Sequence, residues 1–462
     1  MSVGSQRGRW ATTRGRGGPG TAAGDPALEA EIRRIGRALA RASAGGSLRA
    51  RVEDRGMAWL THRPELRAAL FRTVDVAPAC ATPAELAAHL HAFLPDGALR
   101  GLLERPGLGR VSGPAAEMAV RQMAGRFILA ADVPSAAPVL AELWAEGIAG
   151  TVDLLGEKTV TPAEGAAYAQ RCHEALEALH AGTAGLAARP QLESDAAGPI
   201  PRVNLSVKVT ALTPLVRAHA PERGREDARR ALRELLAHAR DLGAHLHVDM
   251  ESLDSRELIL ELVLDLLSEP AFSDGPSAGV VLQAYLRDAP AVLERILAWA
   301  RDPRGGAGRS VPLTVRLVKG AYWDHETIQA AQHSWPSPVW ADKAESDRCF
   351  EALSRRLIDA HPVLRTAVAS HNLRSVAHAV AYAESRGLGP GEVEYQVLRG
   401  LGDGLGRALA RAGLRSRVYA PVGDIVAGMA YLVRRLLENT ANDSFLTARA
   451  SGTGLARLLT AP

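Results

Sequence analysis

Lysine is nearly missing from this chain. Only Lys158, Lys208, Lys319 and Lys343 stand among 55 basic residues; the rest are arginine. The two side chains differ in shape, hydration and ease of losing charge, so a lysine kept against this bias marks a place where arginine does not serve. Aromatics are scarce too, at 4% of 462 residues, which argues against the base-stacking platforms of single-strand binders. The net charge of +4 is small for a surface that tracks phosphates, so no nucleic acid partner is expected. Cys80, Cys172 and Cys349 lie far apart with no CxxC pair. That excludes a disulfide framework and a zinc knuckle, and suits a reducing, cytoplasmic compartment. No apolar run approaches the ~18 residues of a spanning helix. The N-terminus lacks the apolar core of a signal peptide.

What remains is an ordinary globular balance, 47% hydrophobic and 23% charged. Residues 1–26 are rich in Gly and Arg, with Asp25 the first acid. They cannot bury a core and are expected to form a disordered tail. From 27 to 134 the spacing is helical throughout, with helices expected at 27–42, 48–60, 64–71, 82–93 and 114–128 and no strand. This is an all-helical arm. From 135 to 462 short apolar runs alternate with helical stretches, the pattern of parallel strands and crossover helices. The expected strands are 151–155, 203–209, 245–250, 279–284, 313–318, 365–370, 392–397 and 417–419, with a last helix at 425–439. Eight such units predict an α/β fold, a (β/α)8 barrel of the TIM type behind the helical arm. A doubly wound open sheet is the alternative. It would carry a Gly-rich phosphate turn after its first strand, and Leu154-Leu155-Gly156-Glu157 is not one.

Barrel enzymes carry their chemistry at the C-terminal strand ends, and here those ends are polar. In 203–209, Val203, Leu205, Val207 and Val209 alternate with Asn204, Ser206 and Lys208. The apolar set belongs under the helices and the polar set inside, unless the strand is a half-exposed antiparallel one with Lys208 in water. His245, His247 and Asp249 share one face of the next strand. The two histidines read as packed, hydrogen-bonded residues. The alternative is a metal-dependent hydrolase using His245, His247 and His371. Asp249, at the strand end beside Lys208, would stay ionised and hold the lysine charged. Gln283 ends an apolar strand, Arg316 is embedded in another before Lys319 and Gly320, and Ser370-His371 follows a third. A cation inside a strand must be paired or face a ligand. In the last helix Tyr431, Arg434, Arg435 and Glu438 fall on one polar face. That face is either a surface ion-pair ladder or a guanidinium clamp for a carboxylate.

Nine segments carry a family resemblance: VDLLGEK (152–158), VNLSVKVTAL (203–212), HVDMES (247–252), VVLQAY (280–285), VRLVKGAYWD (315–324), ASHN (369–372), EYQVLRGLGD (394–403), VYAPVG (418–423) and AYLVRRLLEN (430–439). In this order they resemble the proline dehydrogenase barrel of bifunctional proline utilization flavoproteins. Three of the four lysines fall inside them. The resemblance implies oxidation of L-proline to 1-pyrroline-5-carboxylate, with a hydride passing from ring C5 to N5 of bound FAD and electrons leaving to a quinone at the membrane surface. It implies a peripheral contact with the membrane and no metal. By resemblance Arg434 and Arg435 bind the proline carboxylate with Lys208, Tyr431 and Tyr419 pack on the ring, and Glu157 pairs with Arg434 as a gate. Asp249 orients Lys208, and Arg316 lies near flavin N5, where a fixed cation favours the reduced ring. Met250, Gln283, Lys319, Gly320, Ala321, Trp323, Ser370, His371 and Glu438 surround the flavin. Ser252 stands where the family pattern has an acid. No segment resembling an aldehyde dehydrogenase follows the barrel, so the resemblance implies a separate pyrroline-5-carboxylate dehydrogenase. A regulatory, nucleic-acid-binding protein is the non-enzymatic alternative.

Overall fold

The structure is a computed structural model and describes residues 25–43, 63–97, 118, 125–156, 159–217, 220–250, 252–424, 428 and 454–462. Three helices come first: α1 (Pro26–Ser43), α2 (Pro64–Val76) and α3 (Pro83–Phe93). The expected helix at 48–60 lies outside the described residues, as do most of 114–128 and all of 425–439 except Gly428. α4 (Val133–Ala145) leads into the barrel.

Eight parallel strands then close a barrel in chain order. They are β1 (Ile148–Leu154), β2 (Asn204–Lys208), β3 (His245–Asp249), β4 (Ser277–Gln283), β5 (Thr314–Val318), β6 (Arg365–Ala369), β7 (Val393–Leu398) and β8 (Arg415–Val422). The crossover helices are α5 (Pro162–Thr183), α6 (Pro221–Asp241), α7 (Leu253–Leu267), α8 (Ala289–Arg301), α9 (Trp323–His333), α10 (Lys343–Asp359), α11 (Leu373–Ser385) and α12 (Asp403–Arg411). The open-sheet alternative is excluded, because β1 pairs with both β8 and β2.

The alternation read in the sequence sorts the two faces of the strands. Leu205, Val207, Leu246, Val248, Val280, Val315 and Leu317 are fully buried and join one core with the helices. The polar residues between them bond across the lumen: Arg316 of β5 reaches Ser206 of β2 and Gln396 of β7, and neither strand neighbours β5. Helix starts are set by local chemistry. Thr161 and Glu164 cap α5 reciprocally, with Pro162 at the first helical position, and Asp342 and Glu345 do the same for α10.

Three features depart from the sequence reading. β8 runs Arg415–Val422, well past the expected 417–419. A proline argues against a strand, yet Pro421 pairs in register with Asp153, and its carbonyl accepts from the Leu129 N–H at 2.7 Å. Ala130, in the stretch expected to hold no strand, bridges to Val422. A short hairpin, Ser194–Asp195 with Gly198–Pro199, plugs the floor of the barrel. There Asp195 pairs with Arg365 at 3.0 Å and Arg415 at 3.3 Å, the first residues of β6 and β8. The first helix is docked: α1 packs on α11 and α12, burying Ile32, Ile35 and Leu39. Among the described residues no helix is long and apolar enough to cross a membrane.

Candidate active site

All eight strands end at one mouth. Asp249, the last residue of β3, gathers the site. Its Oδ1 accepts from Arg316 Nη1 at 2.6 Å and from the Ser206 hydroxyl at 2.9 Å. Its Oδ2 accepts from the Tyr419 hydroxyl at 2.7 Å. The Arg316 guanidinium also lies over the Tyr419 ring, 5.1 Å from its centre. Arg316 Nε donates to Gln396 Oε1 at 2.8 Å, and Gln396 Nε2 donates to Glu394 at 2.7 Å. The remaining nitrogen, Nη2, is buried and meets no acceptor among the described residues. A buried guanidinium nitrogen without an acceptor is costly unless a ligand supplies one.

Lys208 ends β2 next to Asp249 in the strand register. The sequence reading had Asp249 orient this lysine. Its carboxylate is instead engaged by Ser206, Arg316 and Tyr419, and the ion pair of Lys208 runs to Asp153 of β1. Burial, reinforced by the nearby Asp249 charge, pushes the Asp153 carboxyl up, with Lys208 opposing. Loss of hydration likewise raises the Tyr419 phenol well above its ordinary value. The Lys208 backbone is also held: its N–H donates to the Tyr168 hydroxyl of α5 at 3.4 Å. One turn earlier Gly165 lets α5 close on the helical turn Val209–Leu212 that follows Lys208; a Cβ there would stand 2.5 Å from the Leu212 carbonyl oxygen.

Around this centre Gln283 Nε2 donates to the Met250 carbonyl at 3.2 Å, and both side chains are buried. The Ser370 hydroxyl accepts from the Asn372 N–H at 3.1 Å, and His371 Nε2 accepts from the Leu398 N–H at 2.8 Å. Lys319 and Lys343 share Asp347. Burial would raise that carboxyl, but the two ammonium groups hold it below its ordinary value, while Lys319 itself is lowered by burial. Gly320 has φ +131°, a conformation that favours glycine. Ala321 and Trp323 are exposed, and the indole N–H of Trp323 donates to the Trp340 carbonyl at 2.9 Å. Glu157, Tyr431, Arg434, Arg435 and Glu438 lie outside the described residues.

His245 and His247 meet each other inside the lumen, their ring centres 5.5 Å apart. His245 lies at the start of β3, bonds Ser277 at 2.8 Å and meets His247 at 3.2 Å, deep in the lumen. Burial, with Arg417 adding to it, lowers His245 to about 3, and burial with Arg316 takes His247 well below its ordinary value. His371 is engaged by the Leu398 backbone. Among the described residues no group of three His, Cys, Asp or Glu side chains stands where it could hold a metal. Sequence reasoning missed Asp153, Ser206, Glu394 and Gln396 as members of this network. Each sits at an inward position of a strand it had identified, and that alternation is the signal.

The fold and the mouth define a (β/α)8 barrel whose strand ends hold a charge-paired polar site, in which Arg316 Nη2 meets no acceptor among the described residues. Comparison with known proteins narrows this further. The sequence model of the family described as Proline dehydrogenase matches residues 136–448, and that of the Proline utilization A N-terminal domain matches residues 29–127. The chain belongs to the proline dehydrogenase family. It is 31% identical over 344 residues to the Bifunctional protein PutA of Salmonella typhimurium, covering 73% of this chain and 25% of that protein. With the Proline dehydrogenase of Deinococcus radiodurans it shares 29% identity over 339 residues, 72% of this chain and 93% of that one. A solved structure of proline utilization A from Bdellovibrio bacteriovorus, inactivated by N-propargylglycine, matches with a TM-score of 0.84 and 32% identity, covering 94% of this chain and 44% of that chain. The chain thus spans about a quarter of the length of the curated PutA relatives it matches.

Proposed function

We propose that this chain oxidises L-proline to 1-pyrroline-5-carboxylate at the barrel mouth, with FAD as its cofactor and a quinone as the final electron acceptor. The observation that carries this reading is the open Nη2 of Arg316, a buried donor held at the mouth by Asp249 and Gln396. A flavin ring presents acceptor atoms that such a donor fits. Met250, Gln283, Lys319, Gly320, Ala321, Trp323, Ser370, His371 and Glu438 would hold the rest of the cofactor. Bound FAD supplies the acceptor for the hydride that leaves proline C5.

The chain's own residues bind and orient the substrate. In the balanced reaction C5 loses a hydride, the ring nitrogen loses its proton, and a C5–N double bond forms. Lys208, together with Arg434 and Arg435, binds the carboxylate, the guanidinium pair gripping it with planar donors. Asp153 fixes the direction of Lys208. Tyr419 and Tyr431 cover the ring, Glu157 pairs with Arg434 over it, and Asp249 locks both Tyr419 and Arg316. We read residues 27–134 as a helical arm, matching the family seen over 29–127, and 135–462 as the catalytic barrel. The protein would work in the cytoplasm and meet quinone at the membrane surface.

Turnover with proline and a soluble quinone tests this, with the Lys208→Met variant beside the wild type. Losing a charge-assisted contact to the substrate should lower kcat/KM at least about tenfold with bound flavin unchanged. A variant that sheds flavin yet turns over proline normally when FAD is supplied would remove Lys208 from the substrate site. A wild type that binds FAD and leaves proline untouched would overturn the reading.

A further inference from the structure

We propose that Gln396, oriented by Glu394, is a positioning residue that fixes the Arg316 guanidinium and thereby sets how readily a bound flavin is reduced; this rests on the flavin reading above.

A guanidinium is planar, so two acceptors on different nitrogens fix its plane and its rotation. Arg316 has that arrangement. Gln396 Oε1 takes Nε at 2.8 Å, and Asp249 takes Nη1 at 2.6 Å from the other side of the lumen. With both in place, the direction of the open Nη2 has no freedom left. Asp249 is anchored by two further donors, Ser206 and Tyr419. Gln396 needs a different anchor, because an amide can present either its oxygen or its nitrogen. Glu394, two residues earlier on β7, makes the choice: its carboxylate only accepts, so it draws Gln396 Nε2 at 2.7 Å and turns Oε1 toward Arg316. Glu394 in turn is paired with Arg417 at 2.9 Å. Burial would raise its carboxyl, but Arg417 and Arg415 hold it down at about 2, so it is an acceptor at any working pH.

The relay carries orientation without charge. Arg316 with Asp249 and Arg417 with Glu394 are two neutralised pairs, and the uncharged amide stands between them. A fixed cation beside the flavin favours its electron-rich reduced form, and one free to turn away does so less.

The experiment is equilibration of the flavin-loaded enzyme against a reference dye of known potential, for wild type, Gln396→Leu, Gln396→Glu and Glu394→Gln. Gln396→Leu should lower the equilibrium constant for flavin reduction about tenfold, roughly 30 mV for a two-electron couple. Its flavin stays bound, and kcat falls more than KM for proline rises. Gln396→Glu should lower the constant further, since it adds an anion and repels Glu394. Glu394→Gln keeps the shape but releases the amide, and should shift it in the same direction by less; it serves if the leucine variant does not fold. A residue with only a structural role would lower the melting temperature and leave the potential where it was, so an unmoved equilibrium in a flavin-loaded Gln396→Leu or Glu394→Gln overturns the proposal. A wild type whose flavin bleaches with proline beside such an unmoved variant removes this inference alone; a wild type that takes up no flavin removes both readings.

Discussion

The Tyr419 hydroxyl donates to Oδ2 of Asp249 at 2.7 Å, a bond that joins the last strand of the barrel to the third across the lumen. The phenol proton is therefore committed to a carboxylate that also holds Arg316. What Tyr419 offers the space above it is its ring.

This has a consequence for substrate choice. A ring hydroxyl on trans-4-hydroxyproline would meet a bulky side chain whose proton is already spent. Burying an unpaired hydroxyl costs roughly 1–3 kcal/mol, so proline should be preferred about tenfold to a hundredfold in kcat/KM. Tyr419→Ser should narrow the ratio, mainly by weakening proline through lost packing. Steady-state kinetics with both substrates on both proteins decide it. A wild type that prefers hydroxyproline, or a ratio unmoved by the substitution, places Tyr419 away from the ring.

Asp153→Asn should act through Lys208. The change keeps the size of the side chain and removes the charge of a buried ion pair. Hydrogen bonds to charged groups contribute about 1.5–3 kcal/mol, so kcat/KM for proline should fall roughly tenfold to a hundredfold. Flavin content should stay at the wild-type level. Unchanged kinetics would show that Asp153 has no part in placing the lysine.

The docking of α1 depends on Arg374. This buried side chain bonds Glu29 of α1 at 2.6 Å, Glu351 of α10 at 2.8 Å and the Leu459 carbonyl at 3.2 Å. Arg374→Ala leaves Glu351 in a buried place without that cation, and breaking such pairs costs about 3–5 kcal/mol. Glu29→Gln should cost about 1 kcal/mol, because Glu29 is nearer the surface. Urea midpoints measure both. Equal, near-zero losses would mean that the helix is held by its apolar stripe alone.

Acid should destabilise the barrel early. Burial, with Arg417 next in weight for His245 and Arg355 for His378, lowers both histidines to about 3. Burial and Arg316 lower His247 well below its ordinary value. These bases stay neutral when folded, while in the unfolded chain they protonate near pH 6.5. Between about pH 6.5 and 3 the unfolded state binds more protons, so stability falls as the pH falls, by about 1.4 kcal/mol per unit for His245 and for His378, and His247 acts in the same direction. A stability profile that is flat from pH 7 to about pH 5 would contradict this.

The barrel was legible because alternation is strict where it matters. Val203 to Val209 and His245 to Asp249 sort apolar from polar residues one by one, and the structure puts those sets on opposite sides of the sheet. The start of β1 was less legible, since Gly150 interrupts the alternation and the strand begins at Ile148. The floor hairpin is only two residues a side, too short for any period to register. Partners were the hardest to read. Asp249 is next to Lys208 in register, and strand-end logic paired them. The choice between Asp153 and Asp249 is made by Ser206 of the lysine's own strand and by Arg316 and Tyr419 arriving from β5 and β8, and nothing in the spacing of one segment reports that convergence. Gln396 and Glu394 escaped for the same reason: beyond the bond between them, their partners Arg316 and Arg417 come from other strands.

Anaerobic titration of the purified, FAD-loaded chain with L-proline, followed by visible absorbance, decides whether this mouth oxidises proline with a flavin. For that chemistry the oxidised flavin spectrum should bleach in proportion to the enzyme present, and Arg435→Lys should require far more proline to reach the same end point, since lysine keeps the charge and loses the planar fork. A flavin spectrum that proline leaves unchanged, or a chain that takes up no FAD at all, would contradict it.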